Sequence, residues 1–169
     1  MMEVIRKFCG YKYGIDVCAG GSKGGLSLGW KEGVDIRLRG YSKSHIDIEV
    51  MENSEEECWR FTGFYGSPIE QKRKESWNLL RQLKGNNQLP WLVMGDFNEI
   101  LFSFGKRGGR LREERQMVAF REALEDCELN DLGFSAQWYT WERGRLPSNN
   151  IRERLDMGDA FGYGLFGRL

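Results

Sequence analysis

Hydrophobic and polar positions alternate with a period of two through the first third of the chain. Val34, Ile36 and Leu38 alternate with Asp35, Arg37 and Arg39, and Ile46, Ile48 and Val50 alternate with Asp47 and Glu49. With GYSKSH between them, the two runs predict neighbouring antiparallel strands, each with one face inward and Asp47 and Glu49 outward. GGLSLGW (24–30), behind a glycine-rich loop, predicts a further short strand, and CWRFTGFYG (58–66) another, from its aromatic and β-branched residues. The period then lengthens. Ser67, Pro68 and Glu70 form an N-cap, a first-turn proline and a capping-box glutamate ahead of Trp77, Leu80 and Leu83, and Gly85 can end that helix in a left-handed conformation.

LPWLVMGDF (89–97) is an almost unbroken apolar run, the pattern of a strand covered on both faces. A loop with Gly105, Gly108 and Gly109 leads to a second helix from about Arg112 to Glu128, with Met117, Phe120, Leu124 and Cys127 on one stripe. SAQWYTWERG (135–144) predicts a strand, and NNIRERLDMGD begins after a loop containing Pro147. Repeats, linkers and low-complexity stretches are absent. The expected architecture is one α/β domain of mostly antiparallel strands with helices packed outside them.

Composition narrows this only a little. At 169 residues and 40% hydrophobic, the chain can bury roughly 70% of its unfolded surface. Its 30% charged residues and mean hydropathy of -0.56 predict a soluble protein, and no run approaches the ~18 apolar residues of a membrane span. The start, MMEVIRKFCG, lacks a signal peptide's apolar core, so an intracellular protein is expected. Cys9, Cys18, Cys58 and Cys127 are scattered without a CxxC or a nearby histidine, which argues against zinc and for four buried free thiols in a reducing compartment. Lys plus Arg equals Asp plus Glu at 25 each, so net charge points to no partner. The distribution is uneven, however: GKRGGRLREER and RGRLPSNNIRER are arginine-rich and could face phosphates, with solvated loops as the competing reading.

PWLVMGDFNEI (90–100) carries the first candidate chemistry. Asp96 and Asn98, two positions apart after an apolar strand, would point to one side at that strand's carboxyl end, where α/β scaffolds place sites. Gly, Asp and Asn are also the commonest turn formers, so the residues alone leave a plain turn open. Four marks then follow in order: GFYGSP, GDFN, YTW and RLD. With the wording around them, including SHIDIEV, RKESWNLLRQL, RQMVAFREALEDCELNDLGF and NNIRERLD, the chain resembles the endonuclease/exonuclease/phosphatase superfamily. More narrowly it resembles the endonuclease domain of plant non-LTR (LINE-type) retrotransposons, from about Glu3 to Asp156.

That resemblance implies a two-sheet, mostly antiparallel β-sandwich flanked by helices, a four-layer α/β/β/α fold. It implies residues 1–156 as a partial domain and 157–169 as a divergent tail. Hydrolysing a phosphodiester requires a positioned water, a group that activates it, and donors for the phosphoryl oxygens. By the resemblance Asp96 helps activate the water, Asn98 donates to the phosphate, the Tyr65 hydroxyl contacts it, and Asp156 orients a catalytic histidine. The four side chains should therefore converge in one cleft. Trp141 falls at the site's rim, where a packed core tryptophan is the alternative. Lys106, Arg107, Arg110, Arg143 and Arg145, with Trp141, are the expected nucleic-acid contacts.

Two expected parts have no match. The family's early asparagine and its glutamate ligand for Mg²⁺ or Mn²⁺ would precede Met1, and Glu3 stands instead where the following helix belongs. The terminal histidine segment would follow the last matched residues, and the sole histidine, His45, lies far from that motif. The expectation is a domain truncated at both ends, with open strand edges and exposed apolar faces. Function is then a metal-dependent DNA endonuclease of a nuclear, reverse-transcribing element, present as a fragment. The alternative is an inactive remnant that binds nucleic acid or a partner. A phosphatase of small phosphoesters or lipids is a third reading, disfavoured by the retroelement-like wording.

Overall fold

The computed structural model describes residues 2–18, 25–51, 58–132, 139–144 and 150–161, with side chains described from residue 3 to residue 155. In chain order the elements are α1 (Met2–Phe8), β1 (Tyr13–Cys18), β2 (Gly25–Trp30), β3 (Asp35–Ser42), β4 (His45–Met51) and β5 (Cys58–Tyr65). They continue with α2 (Arg73–Lys84), β6 (Trp91–Asp96), β7 (Lys106–Arg107), α3 (Glu114–Asp126), β8 (Asn130–Asp131), β9 (Trp141–Arg143), β10 (Ile151–Glu153) and β11 (Asp156–Phe161). The chain divides into two compact units. One holds residues up to Tyr65 together with Gln88–Met94; the other holds Gly66–Asn87 and Gly95–Phe161.

In the first unit β3, β4 and β5 form an antiparallel ladder in which Ile48 stands opposite Leu38 and Phe61. Ile46, Ile48 and Val50 are buried on one face of it, and Ile15, Val17, Leu26 and Leu28 from the antiparallel pair β1–β2 pack against them. This is the expected sandwich of two sheets. Arg6 on α1 ties the helix to β1, donating to Asp16 at 2.9 Å and to the carbonyls of Tyr11 and Lys12. β1 is absent from the sequence reading, although Tyr13, Ile15 and Val17 alternate with Gly14 and Asp16 as the residues of a strand with one buried face do.

The other face of β4 departs from expectation. Asp47 is buried, not outward. Arg60 donates to both of its oxygens at 2.8 Å, Thr62 Oγ1 donates to Oδ1 at 2.7 Å, and Trp91 Nε1 donates to Thr62 Oγ1 at 2.7 Å. The Arg60 guanidinium also lies 4.6 Å over the Trp91 ring. Period two separates the faces of a strand without saying that the polar one is wet; here a fully bonded ion pair allows that face to be covered.

In the second unit α2 and α3 meet through Trp77 and Phe120, stacked at 4.5 Å. The predicted stripe on α3 is buried throughout, at Met117, Phe120, Leu124 and Cys127, on a helix shorter than expected. The predicted cap on α2 is not formed. Ser67 Oγ accepts from the Ile69 amide at 3.2 Å, closing a local turn, and a single 3₁₀ turn at Glu70–Lys72 precedes the helix without a side-chain cap. Gly85 does end α2, but at φ 42° and ψ -132°, outside the left-handed helical well. β7, β10 and β9 form a small antiparallel sheet, and β11 pairs with β8. The predicted strand at 135–144 is realised as Trp141–Arg143, with 135–138 outside the described residues.

The four thiols are free, as expected, but only Cys127 is buried; Cys9 and Cys18 are exposed. Burial pushes the Cys127 thiol up to about 11. None of the described helices is long and apolar enough to cross a membrane.

Candidate active site

β6 ends at Asp96, and the chain turns at once through Phe97 and Asn98. Asp96 Oδ1 accepts the Asn98 amide at 2.9 Å, an Asx turn, and Asn98 adopts a positive φ of 56°, which asparagine tolerates better than most residues. The turn is therefore real, and it is also anchored. Phe97 is fully buried against Phe120 at 5.3 Å, which holds the polar residues on either side at the surface of the core.

Three further bonds tie this turn to its neighbours. The Gly66 amide donates to the Asp96 carbonyl at 2.8 Å, Asn98 Nδ2 donates to the Gly66 carbonyl at 3.0 Å, and the Phe97 amide donates to the Leu155 carbonyl at 3.0 Å. Gly66 is a requirement of the approach, since a Cβ there would lie 2.2 Å from the Phe97 carbonyl oxygen. The glycine of GFYG and the GDFN motif thus explain each other. The bond to Leu155 sets the start of β11, and with it Asp156, beside the same turn; the Asp156 side chain is outside the described residues. Tyr65 closes β5 in the first unit, exposed, with its amide donating to the Ser44 carbonyl at 2.9 Å.

Glu99, next in the motif, escaped the sequence reading. It is fully buried. Its Oε2 accepts from Arg73 Nη1 at 2.6 Å, its Oε1 accepts the Ile100 amide at 2.9 Å, and Arg112 Nε approaches Oε1 at 3.1 Å as an ion pair. Arg112 Nη2 reaches on to Glu153 at 3.1 Å, and Glu153 also binds the Lys106 ammonium. A chain of charges therefore links the residue after GDFN to α2, to the loop before α3, and to β10. The available signal was position: a carboxylate between Phe97 and Ile100 sits where burial is imposed, so it needs cationic partners.

The remaining predicted contacts are dispersed over the small sheet. Arg107, Arg110, Trp141 and Arg143 are exposed, Lys106 is turned to Glu153, and Arg145 lies outside the described residues. Among the described residues no group of three or more His, Cys, Asp or Glu side chains gathers to hold a metal. The described donors do not by themselves fit a divalent cation, with Asp96 contributing a single carboxylate. His45 is buried in the first unit with Nδ1 2.9 Å from Ser42 Oγ.

Residues 4–157 match the family described as the Endonuclease/Exonuclease/phosphatase family. The chain belongs to that family. Among solved structures it is similar to the endonuclease domain of TRAS1, a telomere-specific non-LTR retrotransposon, with a TM-score of 0.63 at 12% identity over 87% of this chain and 65% of that one. It is similar to the human Nocturnin catalytic domain, with a TM-score of 0.60 at 16% identity over 95% and 64% of the two chains. A beta toxin from Staphylococcus aureus matches with a TM-score of 0.53 at 13% identity, over 89% and 63%. The chain spans less than two thirds of the length of each of these structures. Comparison with curated protein sequences gave no match. Within the endonuclease/exonuclease/phosphatase fold, then, the GDFN turn is a polar feature held by backbone bonds to Gly66 and Leu155.

Proposed function

We propose that this chain is a hydrolase of DNA phosphodiesters, of the kind found in non-LTR retrotransposon endonucleases. Its single strongest support is the GDFN turn, fixed by hydrogen bonds to Gly66 and Leu155, the chain neighbours of Tyr65 and Asp156. Asp96 would take a proton from, and orient, the attacking water. Asn98 spends one of its two Nδ2 hydrogens on Gly66 and keeps a second to donate to a phosphoryl oxygen. The Tyr65 hydroxyl would add a donor, and Asp156 a second carboxylate. Lys106, Arg107, Arg110, Trp141, Arg143 and Arg145 would hold the DNA. Mg²⁺ or Mn²⁺ belongs to this reading through the family, without a ligand set among the described residues, so no step is assigned to it.

One observation favours a second reading, a nucleic-acid-binding chain without catalysis. The sole histidine is buried against Ser42 in the first unit. Plasmid nicking separates the two. The 169-residue chain, and a version extended with the upstream glutamate and downstream histidine segments of a related endonuclease, would be incubated with supercoiled DNA in Mg²⁺ or EDTA. Under the hydrolase reading the extended chain nicks in Mg²⁺, and Asp96→Asn, which keeps shape and removes the charge, lowers the rate about 10²–10⁴-fold. Equal nicking by the Asp96→Asn variant would remove Asp96 from the mechanism.

A further inference from the structure

Behind the GDFN turn lies a buried guanidinium that the hydrolase reading leaves without a task. Arg73, the first residue of α2, spans two chain segments. Its Nη1 donates to Glu99 Oε2 at 2.6 Å, one residue past Asn98, and its Nε donates to the Ser67 carbonyl at 3.4 Å, one residue past Gly66. Asn98 and Gly66 are themselves joined, by the bond from Asn98 Nδ2 to the Gly66 carbonyl. Ser76, one turn along α2, accepts the Ser67 amide on its Oγ at 2.9 Å. The start of α2 therefore holds both backbone groups of Ser67 and, through Arg73, the far side of the turn.

Stability alone does not call for this arrangement. A buried ion pair exchanged for well-packed apolar residues is commonly neutral or stabilising. What an apolar pair lacks is direction: the planar fork of arginine fixes the angle between its acceptors, and neither lysine nor methionine does so. Direction matters most at Asn98. With one Nδ2 hydrogen committed to Gly66, the second points wherever the plane of the amide puts it, so a shift of Gly66 against Asn98 re-aims that donor. Asn98 also keeps a φ of 56°, and Glu99 beside it is held at both oxygens, by Arg73 on one and by the Ile100 amide and Arg112 on the other.

We infer that Arg73 is a positioning residue for phosphodiester hydrolysis: it clamps the Gly66–Ser67 and Asn98–Glu99 segments together and so aims the second Nδ2 hydrogen of Asn98 at the reacting phosphate. This rests on the hydrolase reading above. Buried as it is, Arg73 acts through Asn98 and not by touching substrate.

Plasmid nicking tests this in whichever of the two chains compared above nicks in Mg²⁺. Arg73→Lys keeps the charge and loses the fork; kcat should fall about 10–10²-fold, the cost of a misaimed group, with KM little changed. Asn98→Ala removes the donor, so adding Arg73→Lys to it should lower kcat no further, within about 2-fold. Arg73→Met with Glu99→Met should keep most of the parent's denaturant midpoint and still nick as slowly as Arg73→Lys. That pair also carries the test should the lysine variant fail to fold. In the 169-residue chain, nitrogen-edited NMR spectra should show the Asn98 side-chain amide pair shifted by Arg73→Lys. An unshifted pair, nicking that returns with stability in the methionine variant, additive losses in the Asn98→Ala background, or a lysine variant as fast as the parent overturns the inference and leaves the hydrolase reading standing. Nicking by neither chain overturns both.

Discussion

Gly66 shows how one missing carbon holds the candidate site together. Its amide and carbonyl both bond the GDFN turn, and its Cα approaches so closely that an added Cβ would sit 2.2 Å from the Phe97 oxygen and 2.7 Å from the carbonyl carbon. Those are backbone atoms, which cannot step aside as a flexible side chain could. Gly66→Ala should therefore destabilise the protein by about 3 kcal/mol or more, at the upper end of overpacking costs, because the turn and the strand end must separate. Urea unfolding of the variant measures this, and a change below about 0.5 kcal/mol, the size of an ordinary surface substitution, would show that the turn can slide. The sequence made the glycine visible but not its reason. GFYGSP reads as a strand end followed by a helix start, and only the folded chain reveals that Gly66 faces Phe97. Asp47 marks the same limit from the other side. Its alternation was legible, whereas its burial depends on Arg60, Thr62 and Trp91 arriving from two other strands.

Among the elements, the strands and helices with strong periods were readable and the short pieces were not. β3, β4, β5 and the stripes of α2 and α3 follow from hydrophobic spacing, because burial of one face dominates their energetics. β6 forms where its apolar run predicts, but the expected cover on both faces is not met, since Trp91 and Val93 are buried while Met94 is 47% exposed. β7, β9 and β10 are two or three residues each, too short for any period, and they form because charges and backbone bonds pair them. The ion network through Glu99 joins these short strands to α2, so its removal should be felt well beyond one contact. Glu99→Gln leaves Arg73 and Arg112 facing a neutral amide inside the protein, and should cost about 3–5 kcal/mol. Glu142→Gln, which weakens an exposed pair with Arg152, should cost about 1 kcal/mol or less. Replacing Glu99 and Arg73 together by methionine should recover much of the loss, since a buried pair exchanged for apolar residues leaves fewer unpaired charges. Chemical denaturation of the set tests this; equal losses for the Glu99 and Glu142 variants would mean that the network is not effectively buried.

For the molecule as a whole, a single histidine is the one side chain whose ordinary titration falls between pH 5 and 8. His45 is buried beside Ser42, and burial pushes its pKa below the ordinary value; Asp47 opposes the shift and Arg60 adds to it. As pH falls below the usual ~6.5, the unfolded chain takes up a proton before the folded one does. The unfolded state then binds more protons, so stability rises with pH in this window, by at most about 1.4 kcal/mol per unit. The contribution is fully present above about pH 7 and is lost as pH falls through the depressed folded value. The carboxylates held low by partners, Asp16 by Arg6 and Glu142 by Asn150, change charge only at more acidic pH, so they do not overlap with this step. Denaturant midpoints measured from about pH 7.5 to 5 should decline in the wild type, and His45→Gln should flatten that decline while the acid limb below about pH 4.5, where carboxylates protonate, stays. A wild-type profile that is level across that window would mean that His45 charges in place, with Asp47 outweighing the burial.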